Sequence, residues 1–100
     1  MNETKGEYEK DLSRYYGEEK VTAIITLKVD TKDADSIATK ISQFKQIEDC
    51  FLVTGDTDIV AKASFNNYSQ LKEFVLRSLA PIDGIKDTKT LLVVTAYKEG

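Results

Sequence analysis

Ile47-Glu48-Asp49-Cys50-Phe51-Leu52-Val53-Thr54-Gly55-Asp56-Thr57-Asp58-Ile59-Val60-Ala61-Lys62-Ala63-Ser64-Phe65 is the stretch whose reading decides the fold. Ile47 to Thr54 is rich in β-branched and aromatic residues and reads as a strand. Gly55-Asp56 is a tight-turn signal, and Asp58 to Phe65 resumes as a second strand. The stretch therefore predicts a β-hairpin with Thr54-Gly55-Asp56-Thr57-Asp58 at its tip.

Upstream of the hairpin, Val21, Ala23, Ile25, Leu27 and Val29 alternate with Thr22, Ile24, Thr26 and Lys28, which predicts a strand with one apolar face. Asp30-Thr31-Lys32-Asp33 reads as a turn into a helix, with Thr31 or Asp33 as its cap. Ile37, Ala38, Ile41 and Phe44 then form one stripe, while Lys40, Ser42, Gln43 and Lys45 face outward. Downstream, Asn67-x-x-Gln70 is a capping-box pattern that opens a second helix, with Leu71, Phe74, Val75 and Leu79 on its buried stripe. Ala80-Pro81 ends that helix, and Asp83-Gly84 is a turn. Ile85 to Tyr97 reads as the last and longest strand. Thr88, Thr90, Leu92, Val94 and Ala96 line one of its faces; Lys89, Leu91, Val93, Thr95 and Tyr97 line the other.

The order is strand, helix, strand, strand, helix, strand. Right-handed crossovers put both helices on one face of a four-stranded antiparallel sheet, so the expected class is α+β with the ferredoxin-like βαββαβ arrangement. The other face is then left bare. With Ile24, Val60 and Leu91 on it, that face is an apolar patch of the kind that marks an interface, and dimerisation through it is the expectation.

Two units are expected: a polar N-terminal arm or short helix over 1–20 and one folded domain over 21–97. In the arm, Tyr8, Leu12, Tyr15 and Tyr16 have the spacing of one helical face, and Gly17 is a stop. The segment is either a short helix or frayed arm, or an arm that docks on a neighbouring subunit.

At 100 residues the chain has room for one core. No apolar run approaches the roughly 20 residues that span a bilayer, and Met1 to Lys20 lacks the apolar stretch of a signal peptide. A lone cysteine, Cys50, makes no internal disulfide, which fits a reducing, cytoplasmic setting. Basic and acidic residues number 14 and 17, a net charge of −3, and they are interleaved; this disfavours direct nucleic-acid binding. With no histidine, the commonest general base is missing, and the usual zinc, copper and histidine-ligated haem sites cannot be assembled within one chain. No cofactor is expected.

Gly55 and Asp56 are first of all turn residues, one tolerant of positive φ and one whose side chain bonds locally. The same turn also exposes backbone N–H groups that suit an α-carboxylate, beside a carboxylate that suits an α-ammonium. Asp58 reads equally as a residue whose carboxylate caps the turn. Thr88 and Thr90 read as strand formers on one face of the last strand. Cys50 reads as a small core or interface side chain, and Tyr97 as a packing residue at the strand end.

The run Val53-Thr54-Gly55-Asp56-Thr57-Asp58-Ile59-Val60-Ala61-Lys62 resembles the V-T-G-D-Y-D-hydrophobic hairpin of the RAM (regulation of amino-acid metabolism) domain. That domain is the effector-binding half of the Lrp/AsnC (feast/famine) transcriptional regulators. Leu71-Lys72-Glu73-Phe74-Val75 resembles the family's second helix. Ile82-Asp83-Gly84-Ile85-Lys86-Asp87-Thr88-Lys89-Thr90 resembles its approach to the last strand. The likeness runs over 21–97. Thr57 stands where the family usually has tyrosine, a departure that bears on ligand size and selectivity.

The resemblance implies a stand-alone RAM domain, since twenty leading residues do not supply the family's three-helix DNA-binding half. It implies homodimers built through the sheet and assembled into higher-order rings, with an amino-acid effector bound between dimers near Thr54, Gly55, Asp56 and Asp58, and Thr88 and Thr90 contributing. Full-length Lrp/AsnC-type regulators are implied partners through co-assembly; no direct nucleic-acid contact and no membrane are expected. Two other readings stand beside it: a small cofactor-free enzyme of the dimeric ferredoxin-like barrel type, and a pure oligomerising adaptor.

Overall fold

The computed structural model describes residues 20–99. The predicted stripe of Tyr8, Leu12, Tyr15 and Tyr16 lies outside the described residues. The elements are β1 (Val21–Val29), a 3-10 turn (Thr31–Asp33), α1 (Ala34–Ser42), β2 (Ile47–Leu52), β3 (Ile59–Phe65), α2 (Tyr68–Phe74) continued by a π-helical turn (Val75–Leu79), and β4 (Ile85–Leu92). The sheet runs β2-β3-β1-β4 with every neighbouring pair antiparallel, and the fold is the ferredoxin-like α+β arrangement.

Alternation along the central strands builds the core. Val21, Ala23, Ile25, Leu27 and Val29 of β1 are buried, as are Ile59, Ala61, Ala63 and Phe65 of β3. Ile25 lies opposite Ala61 and Leu27 opposite Ile59, so these residues share the helix-covered face. Ile37 and Ile41 of α1, Leu71 and Phe74 of α2, and Leu79 complete one apolar cluster. The Phe74 ring meets Phe44 edge-on at 5.2 Å and Phe65 at 5.3 Å, tying α2 to β3 and to the segment after α1. No polar or charged side chain is buried among the described residues.

The helix starts differ from expectation in one case. Asn67 caps α2: its Oδ1 accepts the Gln70 N–H at 2.9 Å, while Gln70 Oε1 accepts the Asn66 N–H at 3.2 Å. At α1 neither Thr31 nor Asp33 caps through its side chain. The 3-10 turn does that work with backbone bonds, Asp33 N–H to the Asp30 carbonyl at 2.9 Å and Ala34 N–H to the Thr31 carbonyl.

Three strand ends also move. β2 stops at Leu52 and β3 starts at Ile59, with one further backbone bond, Val53 N–H to the Asp58 carbonyl at 2.9 Å, before the bend. β4 ends at Leu92 rather than Tyr97. Its register sets Leu92 opposite Ala23, and the last bond, Val93 N–H to the Thr22 carbonyl at 2.9 Å, falls one residue short of the start of β1. Tyr97 is 97% exposed and not a packing residue. Among the described residues, no helix is long and apolar enough to cross a membrane.

Candidate functional site: the 54–58 bend and the open sheet face

Gly55 has φ +131, a conformation that side chains rarely adopt, and no atom lies within 4 Å of where a Cβ would sit. Backbone conformation, not crowding, is what calls for glycine there. The rest of the bend is bonded to β1. Thr57 Oγ1 donates to the Leu27 carbonyl at 2.9 Å, and the Asp58 N–H donates to the same oxygen at 2.9 Å. Asp58 Oδ2 accepts the Val29 N–H at 3.0 Å, beside the register shift between Lys28 and Val29 in the β1–β4 ladder. The Asp58 carboxylate thus braces β1 at that irregularity rather than capping its own turn. Lys28 Nζ donates to the Asp56 carbonyl at 2.8 Å.

These bonds hold the bend over the open face of the sheet. A cleft of about 220 Å³ forms there, lined by Thr26, Lys28, Asp56, Thr57, Asp87 and Lys89. Lys28 lies opposite Asp87 and Thr26 opposite Lys89 across the β1–β4 ladder, which puts all four on the face away from the helices. Among the described residues the Asp56 and Asp87 carboxylates and the Lys89 ammonium make no hydrogen bond or ion pair. Two cationic and two anionic groups thus converge on one small cleft, the complement of a zwitterion.

The expected site residues divide between the two faces. Thr54, Gly55, Asp56 and Asp58 lie in or beside the bend. Thr88 and Thr90 lie opposite Leu27 and Ile25, on the helix side of the sheet, so one protomer does not bring them to the bend. Thr90 instead lines a separate groove along α2. Lys28, Asp87 and Lys89 were not among the sequence candidates. Period-two alternation puts them on one face, but only the pairing register carries them to the bend.

The open face has an oblique apolar band. Phe51 lies opposite Val60, and one step along, Ile24 lies opposite Leu91. Phe51 is 56% exposed and Leu91 57%, while Ile24 and Val60 are half-buried. Beside the band, Lys62 Nζ bonds Glu99 Oε2 at 3.0 Å and lies 3.9 Å from Glu48. The Glu99 hydrogen bond, reinforced by the charges of Glu99, Glu48 and Asp49, holds the Lys62 pKa above its ordinary value against partial burial. Cys50 is half-buried, with Sγ 3.7 Å from the Ala38 carbonyl oxygen, and burial pushes its thiol pKa up.

This architecture defines a ferredoxin-like α+β domain with a charged cleft at one hairpin. The family model for the Lrp/AsnC ligand binding domain matches residues 22–100, and the chain belongs to that family. A Bacillus subtilis protein described as the uncharacterized HTH-type transcriptional regulator YugG is 31% identical over 91 residues, 88% of this chain and 55% of the relative. The chain spans about half the length of the curated relatives it matches. TTHA0845 from Thermus thermophilus shares the fold at TM-score 0.74 and 24% identity, over 79% of this chain and 99% of that one. The Neisseria meningitidis transcriptional regulator NMB0573, solved as its L-Met complex, superimposes at TM-score 0.73 with 27% identity, over 79% of this chain and 53% of that one.

Proposed function

We propose that this domain binds a free amino acid at the 54–58 bend and acts as a self-assembling regulatory module of transcription in the cytoplasm. The observation that carries the reading is the cleft in which Lys28 and Lys89 face Asp56 and Asp87. An α-carboxylate and an α-ammonium need opposite charges a few ångströms apart, and this cleft supplies both signs. Family membership and the L-Met complex of the Neisseria regulator support the ligand class.

In this reading Gly55 and Thr54 shape the bend, Asp56 and Asp87 receive the ammonium, and Lys28 and Lys89 receive the carboxylate. Asp58 positions the bend through Val29, and Thr88 and Thr90 reach a ligand only if a neighbouring copy presents them. Dimerisation uses the Phe51, Val60, Ile24 and Leu91 band, and further assembly into rings or with full-length regulators uses the same surface logic. The cleft opens on the face that dimerises, so binding and assembly are coupled.

The test is thermal denaturation of the chain with each of the twenty amino acids, repeated with Asp56→Ala and Lys89→Ala. A ligand at a hundred times its dissociation constant stabilises by about 2.7 kcal/mol. At least one amino acid should raise the midpoint of the unmodified chain and neither variant should respond, while sedimentation without ligand shows the same assembly in all three. Silence across the panel refutes ligand sensing; a response that both variants retain moves the site away from the bend.

A further inference from the structure

β4 ends at Leu92, and the next residue, Val93, donates its N–H to the Thr22 carbonyl at 2.9 Å. By Glu99 the chain has reached a different strand: the Glu99 carboxylate accepts a hydrogen bond from Lys62 Nζ at 3.0 Å. Lys62 belongs to β3, which β1 separates from β4 in the sheet. It stands between buried Ala61 and Ala63, so its side chain projects from the open face. The 93–99 segment therefore passes over the start of β1 on that face. Thr22, which alternates with buried Val21 and Ala23, lines a cleft of about 280 Å³ together with Val93, Thr95, Ala96 and Glu99. The anchor for this segment belongs to the sheet. Ser64 Oγ donates to Glu48 Oε2 at 2.7 Å, and Glu48 Oε1 lies 3.9 Å from Lys62 Nζ.

The register puts the strap beside the apolar band. Lys62 lies opposite Ile24, and Ile24 lies opposite Leu91. Two sheets packed face to face stand about 10 Å apart, a gap that their own side chains fill. A backbone segment lying on one of them has no room in that gap. We propose that the 93–99 strap is an autoinhibitory latch: with Glu99 on Lys62 of its own chain it keeps a second copy off the open face, and its release admits that copy. The proposal rests on the open face being the dimer surface. The latch is a partly exposed ion pair, with the Lys62 side chain 27% exposed and that of Glu99 58%, so it opens readily and tunes association without preventing it. Both copies have to open. A latch closed half the time leaves about one pair in four competent, which raises the apparent Kd about fourfold.

The experiment is sedimentation velocity over a concentration series, under reducing conditions. It compares the unmodified full chain, Glu99→Ala, Leu91→Asp, and the two substitutions combined. Both positions are exposed, so neither change disturbs the core. Glu99→Ala should lower the dimer Kd by about threefold or more, and Leu91→Asp should abolish association with or without it. A smaller change or none in Glu99→Ala, with association still lost in Leu91→Asp, overturns the latch and leaves the open-face dimer standing. Weaker association in Glu99→Ala means that the tail grips the second copy instead, and overturns the latch too. Association that survives Leu91→Asp, or no association of any chain, overturns the open-face dimer and the latch with it. The acetylation rate of Lys62 in dilute, undimerised chain is the independent readout. It should rise by about twofold or more in Glu99→Ala, and equal rates overturn the latch.

Discussion

Gly84 and Gly55 both have positive φ, +96 and +131, yet alanine should cost different amounts at the two sites. At either position the backbone conformation penalises a side chain by about 1–3 kcal/mol. Alanine also restricts the unfolded chain, which offsets about 0.4–1 kcal/mol at both and cancels in the comparison. What separates them is space. A Cβ at Gly55 meets nothing within 4 Å, whereas at Gly84 it would sit 2.8 Å from Ile37 Cδ1 and 3.3 Å from Asp33 Oδ2. Ile37 is 2% exposed, so its terminal methyl has no solvent to swing into and the core has to shift, which costs about 1–3 kcal/mol. Gly84→Ala should therefore destabilise by about 1–3 kcal/mol more than Gly55→Ala. Equilibrium urea unfolding by far-ultraviolet circular dichroism, at one fixed protein concentration, measures the difference. Equal losses, or a larger loss at Gly55, would show that the approach of the 83–84 turn to α1 is looser than described.

Asp58→Ala leaves the Val29 N–H, on a 4%-exposed residue, without its acceptor, and should destabilise by about 1–3 kcal/mol, with Asp58→Asn losing less because it keeps an oxygen there. Urea unfolding decides it, and a change under about 0.5 kcal/mol for Asp58→Ala would mean that the bond does not anchor the bend. Burial raises the Cys50 pKa, so the pH profile of its alkylation by iodoacetamide should lie at higher pH in the folded chain than in urea. By linkage, the stability from burying the neutral thiol is full below the unfolded thiol's pKa and is lost as pH rises through the folded one. Superimposable alkylation profiles would contradict that environment.

The arrangement of elements was legible because each is dictated locally. Odd-numbered apolar residues over 21–29, the Asn67-x-x-Gln70 pattern and the Gly55-Asp56 turn state their conformations within a few residues. The misjudged ends depend on partners distant in sequence. Thr95 and Tyr97 have good strand chemistry, but the extent of β4 is set by its pairing with β1, whose register ends with Leu92 opposite Ala23. α1 starts on backbone bonds of a 3-10 turn although Thr31 and Asp33 are both able to cap.

The site shows the same division. From the sequence alone come the bend, its glycine, its carboxylates and the likeness to a ligand-binding domain, since turn chemistry is a property of adjacent residues. Tertiary structure alone decides that Lys28, Asp87 and Lys89 join Asp56 at one cleft while Thr88 and Thr90 face away from it. Strand pairing sets which residues separated by some sixty positions become neighbours. A register change of one residue would turn every side chain of β4 to the other face.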